Sequence, residues 1–262
     1  MELQRARDEL EVKVADRTAE LFKLNSDLEK NVAQLKLINA ELEAFSYSIS
    51  HDLKTPTIAV EGFSRVLLER YGDRLDNKGK NFLRLIIQST SQMRELIDNL
   101  LAYFAFGRKK LKFSVVDMNR IVSEVFDQLK EVHRGRTMYL SITPTPPVNA
   151  DKTMIRQVIL NLLSNAIKYS RVNAQTDVKF GGWSEQGRIV YYVQDNGVGF
   201  PMESMERLFE VFERLHPSEE FEGTGIGLAT VKRIIQRHGG EVWAQSTVNE
   251  GSTFYFTIPT LS

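Results

Sequence analysis

Residues 45–56 read FSYSISHDLKTP, and the fold of the chain depends on whether this stretch ends a helix or interrupts one. Pro56 has no N–H to return to the carbonyl of Asp52, so a helix passing through it should bend beside His51. The apolar pattern resumes at Ile58, Val60, Phe63, Val66 and Leu67. That favours a kinked continuation over a helix that stops at the proline. Asp52 directly follows His51. Its carboxylate can take a hydrogen bond from one imidazole nitrogen and leave the other as an acceptor or nucleophile. A lone histidine in an amphipathic helix is usually structural, but a titratable pair beside a backbone irregularity argues for a site.

Upstream, Val14, Leu21, Leu28, Leu35 and Leu42 fall on one heptad position, and Leu3, Leu10, Leu24, Ile38 and Phe45 supply the other. This is the spacing of a parallel two-stranded coiled coil, weakened where Arg7, Arg17 and Asn31 enter the seam. The alternative is a helix packed on its own domain, for which the chain offers little to pack against. A signalling helix that opens the chain implies a sensor domain upstream of it.

Downstream, the helix should run to about Arg70, and YGDRLDNKG at 71–79 reads as a reversal. A second helix then carries Phe82, Leu85, Ile86, Met93, Leu96, Ile97, Leu100, Leu101 and Phe104 at helical spacing. One antiparallel hairpin cannot bury that much apolar surface. Two hairpins paired as a four-helix bundle can, which predicts a homodimer with His51 on the outside. FGRKKLKF at 106–113 reads as a linker, either a hinge or a fixed connection, with Lys109, Lys110 and Lys112 a solvated run.

Composition narrows the function classes. The chain has 262 residues with 34 basic and 34 acidic side chains, so no global charge attracts it to nucleic acid or an anionic membrane. Cysteine is absent, which excludes disulfides and thiolate metal sites and suits a cytoplasmic setting. No apolar run approaches the length of a membrane span.

Residues 114–262 mix helix and strand signals as an α+β domain does. A helix over 119–131 precedes a strand near 137–143, and PTPP at 144–147 breaks the chain. In DKTMIRQVILNLLSNAIKYS, residues 151–170, Ile155, Val158, Ile159, Leu162, Leu163 and Ala166 make one apolar face. Asn161, Asn165 and Lys168 align along another stripe. Asparagine is a poor interior helix residue. Amide oxygens for a hard cation and a lysine for phosphate would justify the stripe, where a solvent face would favour Glu, Lys and Arg. IVYYVQDNGVGF alternates as a strand and breaks at Asp195, Asn196 and Gly197, with Gly199 following. A carboxylate at a strand end can accept from an exocyclic amine of a purine. GTGIG then places Gly223, Thr224, Gly225 and Gly227 before a helix bearing Leu228, Val231, Ile234 and Ile235, and backbone amides at a helix start favour phosphate.

FSYSISHDLKTP resembles the phosphoacceptor box of HisKA-type sensor histidine kinases of two-component signalling. The order NLLSNAIKYS, DNGVG, FEVF, GTGIGL resembles the N, first glycine, aromatic and second glycine boxes of the GHKL ATPase fold. FERLHPSEEFEGTGIGLATVKRIIQRHGG is similar to kinases attached to phytochrome or PAS sensors. The resemblance implies a coiled-coil signalling helix over 1–45, a dimerisation and histidine phosphotransfer domain over 46–108 and a catalytic ATP-binding α+β sandwich over 114–262. It implies His51 as phosphoacceptor, Asp52 as its base or orienter and Thr55 in hydrolysis of a partner's phosphoaspartate. Thr55 stands where many relatives carry asparagine, which still admits that phosphatase activity.

By the same resemblance the cofactors are ATP and Mg²⁺, with Asn165 on the metal. Asn161, Lys168, Tyr169 and Arg214 would approach the phosphates, Asp195 the adenine, and Leu228 the purine pocket, with Gly197, Gly199, Gly223, Thr224, Gly225 and Gly227 in the glycine boxes. Phe209 and Phe212 would shape a mobile lid, HPSEEFEG, which could equally be an ordinary surface loop. The implied partners are a second copy of the chain and a response regulator receiver domain. His133, His216 and His238 have no partner pattern and read as surface or turn residues. Two rival readings are a GHKL ATPase that drives a conformational clamp, for which His51 is idle, and a non-catalytic coiled-coil scaffold, which would not bind Mg-ATP tightly.

Overall fold

The computed structural model describes residues 2–108, 110–205, 207–215, 220–221 and 223–260. The chain divides into two units, Met1–Asp52 and Leu53–Ser262. The first is part of a single helix, α1 (Glu2–Tyr71), which runs without a break through Pro56 into the second. Just beyond the proline, Thr57 Oγ1 donates back along the helix to the carbonyls of Leu53 at 3.0 Å and Lys54 at 2.8 Å. Within the first unit the seam residues Leu10, Val14, Leu21, Leu24, Leu28, Leu35 and Ile38 are all exposed. Arg17, one of the polar interruptions, pairs with Glu20 in solvent. Leu3, Leu42 and Phe45 have side chains outside the described residues.

In the second unit α1 reverses through a 3₁₀ turn at Gly72–Arg74 into α2 (Asn77–Arg108). The reversal is shorter than 71–79 because Asp76 Oδ1 accepts from Gly79 N at 2.7 Å and starts the second helix early. Ion pairs cross the hairpin from Lys54 to Asp98 and from Glu61 to Arg94, both at 2.7 Å. Glu61 is buried and also takes Arg65, so the carboxylate that fixes the register is neutralised from both helices. Among the described apolar side chains of the hairpin only Ile97 is buried, whereas Phe63, Leu67, Phe82, Leu85 and Met93 are exposed.

The remainder is an α+β sandwich. A five-stranded sheet has the order β2 (Met138–Ile142), β4 (Thr176–Glu185), β5 (Arg188–Asp195), β7 (Gly251–Pro259), β6 (Val242–Thr247). Only β2 and β4 run parallel. A separate antiparallel pair joins β1 (Phe113–Val116) to β3 (Val148–Asp151). The helices are α3 (Met118–Val132), α4 (Lys152–Tyr169) and α5 (Gly227–Arg237). Their apolar faces, including Val122, Ile155, Ile159, Leu163 and Ile234, share one buried cluster with Phe180, Tyr191, Val193 and Phe256 of the sheet. Asp117 caps α3 through Arg120 N, and Asp151 caps α4 through Thr153 N and Met154 N.

Two sequence readings are narrowed. Of the hinge and the fixed connection, the contacts of the linker favour the second: Phe106 and Leu111 pack on the core, Arg237 donates to the Phe106 carbonyl, and Lys112 N donates to Asp151 Oδ2 at 3.0 Å. His238 stands in the turn that ends α5, as one of its two readings had it, but it is buried and not at the surface. Its Nδ1–H donates to Ile234 O at 2.8 Å and its Nε2 accepts from Asp151 N at 3.1 Å, which ties the end of α5 to the cap of α4. Burial pushes its pKa below the ordinary value. His133 is exposed at the end of α3, and His216 lies outside the described residues.

Candidate active site

A cavity of about 340 Å³ opens in the second unit between α4, the start of α5 and the loops before it. Helix periodicity delivers Asn161, Asn165 and Lys168 to its wall together, because residues three and four apart share a face. Asn161 Nδ2 donates to the Gly227 carbonyl at 3.2 Å, so α4 holds the second glycine box directly. Asn165 is half-buried and makes no hydrogen bond among the described residues, which leaves a carboxamide turned to the cavity for a ligand. Gly227 and Leu228 line the cavity at the start of α5, which no side chain caps. Its first backbone N–H groups are therefore donors in need of an acceptor.

Lys168 is the charged feature of the wall. Its Nζ sits 4.1 Å from the Tyr169 ring centroid, and a Cβ on Gly223 would come within 3.0 Å of it. Burial lowers its pKa from 10.5 to about 8, Arg214 and Arg171 repel its charge, and Glu95 favours it. Arg214 also lines the cavity and donates to the Phe221 carbonyl. Two cations in a partly dry cavity, with Glu213 already paired to Arg207 and Glu95 the remaining carboxylate of the wall, make a site for a multiply charged anion.

Asp195 lies behind this wall. Its Oδ1 accepts from Gly197 N at 2.8 Å and Ser252 N at 3.3 Å, and Ser252 lines the cavity although Asp195 does not. Burial raises its carboxyl from 3.8 to about 6 against those two donors. Val198 N donates to Tyr169 O at 3.1 Å and binds the first glycine box to the end of α4. Gly199 has φ +61°, and a Cβ there would meet the Thr247 carbonyl oxygen at 2.1 Å. Glycine is the residue that fits this approach. Gly225, at φ +72°, accepts from Phe212 N at 3.1 Å.

Phe209 is buried in the core and Phe212 is exposed, so neither side chain lines the cavity. Of the lid, His216, Pro217, Ser218, Glu219 and Glu222 lie outside the described residues. His51 lies in α1 with its side chain outside the described part, while Asp52 and Thr55 are exposed. The sequence reading missed Gln157, Leu160 and Ser164, which extend the α4 stripe by the same periodicity and were legible. It also missed Glu95, Asn99 and Ala102, which reach the cavity from α2 and left no local signal.

The family model described as "His Kinase A (phospho-acceptor) domain" matches residues 41–105. The model described as "Histidine kinase-, DNA gyrase B-, and HSP90-like ATPase" matches residues 150–262. The chain belongs to the HisKA-type histidine kinases. Among curated relatives of this histidine kinase core, cyanobacterial phytochrome B of Nostoc sp. is 38% identical over 94% of this chain and 32% of its own length. The circadian input-output histidine kinase CikA of Synechococcus elongatus is 31% identical over 98% of this chain and 34% of its own length. The chain thus spans about a third of the length of these relatives. Among solved structures, full-length ShkA in complex with AMPPNP has a TM-score of 0.62 at 24% identity, covering 84% of this chain and 46% of that one. ThkA in complex with the response regulator TrrA has a TM-score of 0.56 at 22% identity, covering 83% and 61%. These two establish likeness of fold.

Proposed function

We propose that the core binds ATP in the α4–α5 cavity, transfers its γ-phosphoryl group to His51, and passes that group on to an aspartate of a response regulator receiver domain. The observation that carries this reading is the joint placement of the unbonded Asn165 carboxamide, the desolvated Lys168 and the second glycine box around one cavity. In the transfer the bond from the γ-phosphorus to its bridging oxygen breaks, a bond to a His51 nitrogen forms, and ADP leaves. Such a reaction needs in-line positioning and charge neutralisation more than covalent help. Lys168 and Arg214 neutralise phosphate charge, Asp195 receives the adenine amine, and Asp52 orients the imidazole. Thr55 serves hydrolysis of the regulator's phosphoaspartate.

The Asn165 amide oxygen fits a hard cation such as Mg²⁺, and among the described residues no cluster of His, Cys, Asp or Glu competes for that role. Bound there beside the phosphates, the cation would supply further charge neutralisation. The signalling helix over 1–45, the phosphotransfer hairpin over 46–108 and the ATP-binding domain over 114–262 act as a homodimer. The exposed seam and the exposed hairpin face are what a second copy would cover. No helix among the described residues is long and apolar enough to cross a membrane, and the proposed setting is cytoplasmic.

The test is label transfer from γ-labelled ATP with Mg²⁺ to the intact chain, to His51→Gln and to Asn165→Ala. Acid-labile label on the intact chain alone, with ATP still bound by His51→Gln, is the expected result. Equal label on the intact chain and His51→Gln refutes His51 as acceptor. ATP turnover without label in either supports the clamp reading.

A further inference from the structure

The cavity wall is not built by the ATPase fold alone. Helix α2 seats on α5 and the second glycine box: Asn99 Nδ2 donates to Thr224 Oγ1 at 3.2 Å, and the Arg233 guanidinium lies 4.5 Å from the Tyr103 ring centroid. Glu95 and Asn99 line the cavity from this helix. The wall's other carboxylate, Glu213, is already paired with Arg207 at 2.7 Å. Glu95 makes no ion pair among the described residues, and its field favours the charged form of Lys168. On the same wall as Lys168, this carboxylate supplies the negative charge that a phosphate would bring, and the Asn99 amide holds the helix to the hydroxyl of the glycine box.

We propose that Glu95 stands in for the nucleotide's phosphates while Asn99 fastens α2 to the second glycine box, so that seating of α2 there and binding of a nucleoside triphosphate exclude one another. The inference rests on the nucleotide assignment of the cavity. Its physical basis is that like charges repel in a partly dry cavity, so Glu95 and a phosphate beside Lys168 destabilise one another. Binding of the triphosphate then releases α2, and nucleotide occupancy is communicated to the phosphotransfer hairpin.

Calorimetric titration of a non-hydrolysable ATP analogue with Mg²⁺ into the full chain, Glu95→Gln, Asn99→Ala and Asn165→Ala tests this. Glu95→Gln and Asn99→Ala should each bind about three- to tenfold tighter, the range for relief of a screened contact, while Asn165→Ala binds at least about tenfold weaker. Unchanged or weaker binding by both α2 variants, with Asn165→Ala still impaired, overturns the inference and leaves the nucleotide site standing. Failure of the intact chain to bind the analogue removes both. Because the chain has no cysteine, spin labels at Gln92→Cys and Gln236→Cys report the α2 to α5 distance directly. The analogue should lengthen it, and an unchanged distance at saturation also overturns the inference.

Discussion

Lys168 makes nucleotide affinity depend on pH with a calculable slope. In the free cavity its pKa is about 8 against an ordinary 10.5, chiefly because burial strips water from the ammonium. Keeping it charged there costs about 3 kcal/mol at 1.36 kcal/mol per pKa unit. A phosphate beside Nζ returns the missing counter-charge and lifts the pKa towards its ordinary range. Above pH 8, binding must therefore take a proton from solution, and affinity falls about tenfold per pH unit. The core should bind a non-hydrolysable ATP analogue about tenfold more weakly at pH 9 than at pH 7, taking up roughly half a proton per site at pH 8. Calorimetry in buffers of different ionisation enthalpy measures that uptake. Lys168→Met should bind weakly at both pH values with the uptake gone, which separates the lysine from the titration of the nucleotide itself. Equal affinity at pH 7 and pH 9 in the intact chain, or proton uptake that survives Lys168→Met, would refute the placement of phosphate at this lysine.

The buried His238 should make stability fall on acidification. Its folded pKa lies below 6.5, so the unfolded chain binds the proton first, and its contribution is full above pH 6.5 and lost below it. Asp195, raised to about 6, acts oppositely between its unfolded 3.8 and that value. Asp151 favours His238 charge and Arg237 opposes it. Denaturant titrations at pH 7.5 and pH 5.5 should show His238→Gln losing about 1–3 kcal/mol at the higher pH, from broken bonds to Asp151 N and Ile234 O, with a smaller further loss at the lower. A parallel loss in both chains counts against His238. Gly199→Ala, whose Cβ would lie 2.1 Å from the Thr247 carbonyl oxygen at φ +61°, should cost more than about 2 kcal/mol in a thermal melt. A melt within error of the intact chain would contradict the tight approach. Phe63→Asp, at a position 72% exposed in the single chain, should move the sedimenting species from dimer towards monomer with helical ellipticity retained. A persistent dimer would place the dimer interface elsewhere.

What the sequence made legible follows the range of each signal. The stripe of Asn161, Asn165 and Lys168 declares itself within one helix, because three- and four-residue spacing is enough to put side chains on one wall. The helix through Pro56 was legible from the apolar residues that resume beyond it. Strands β1 and β3 were not. Each has four residues, β1 is exposed at three of them, and the pair exists because Phe113 to Val116 meet Asp151 to Val148 across the chain. The burial of His238 was hidden for the same reason. Its partner Asp151 lies 87 residues away, and nothing local distinguishes a histidine that caps a neighbouring helix from one facing water.

The same reasoning explains why Glu95 and Asn99 escaped. They belong to a helix whose pattern speaks only of hairpin packing, and they reach the cavity because α2 continues to Arg108 and its end is fastened by Arg233 and Arg237. Their polarity had a ready local explanation as a solvated face. A binding-site wall from outside the ATPase fold is invisible to motifs, which record what one segment does alone. It is nevertheless where regulation is cheapest to build, since moving one helix changes the charge and the hydrogen bonding of the cavity together without disturbing the core that holds Asn165 and Asp195 in place.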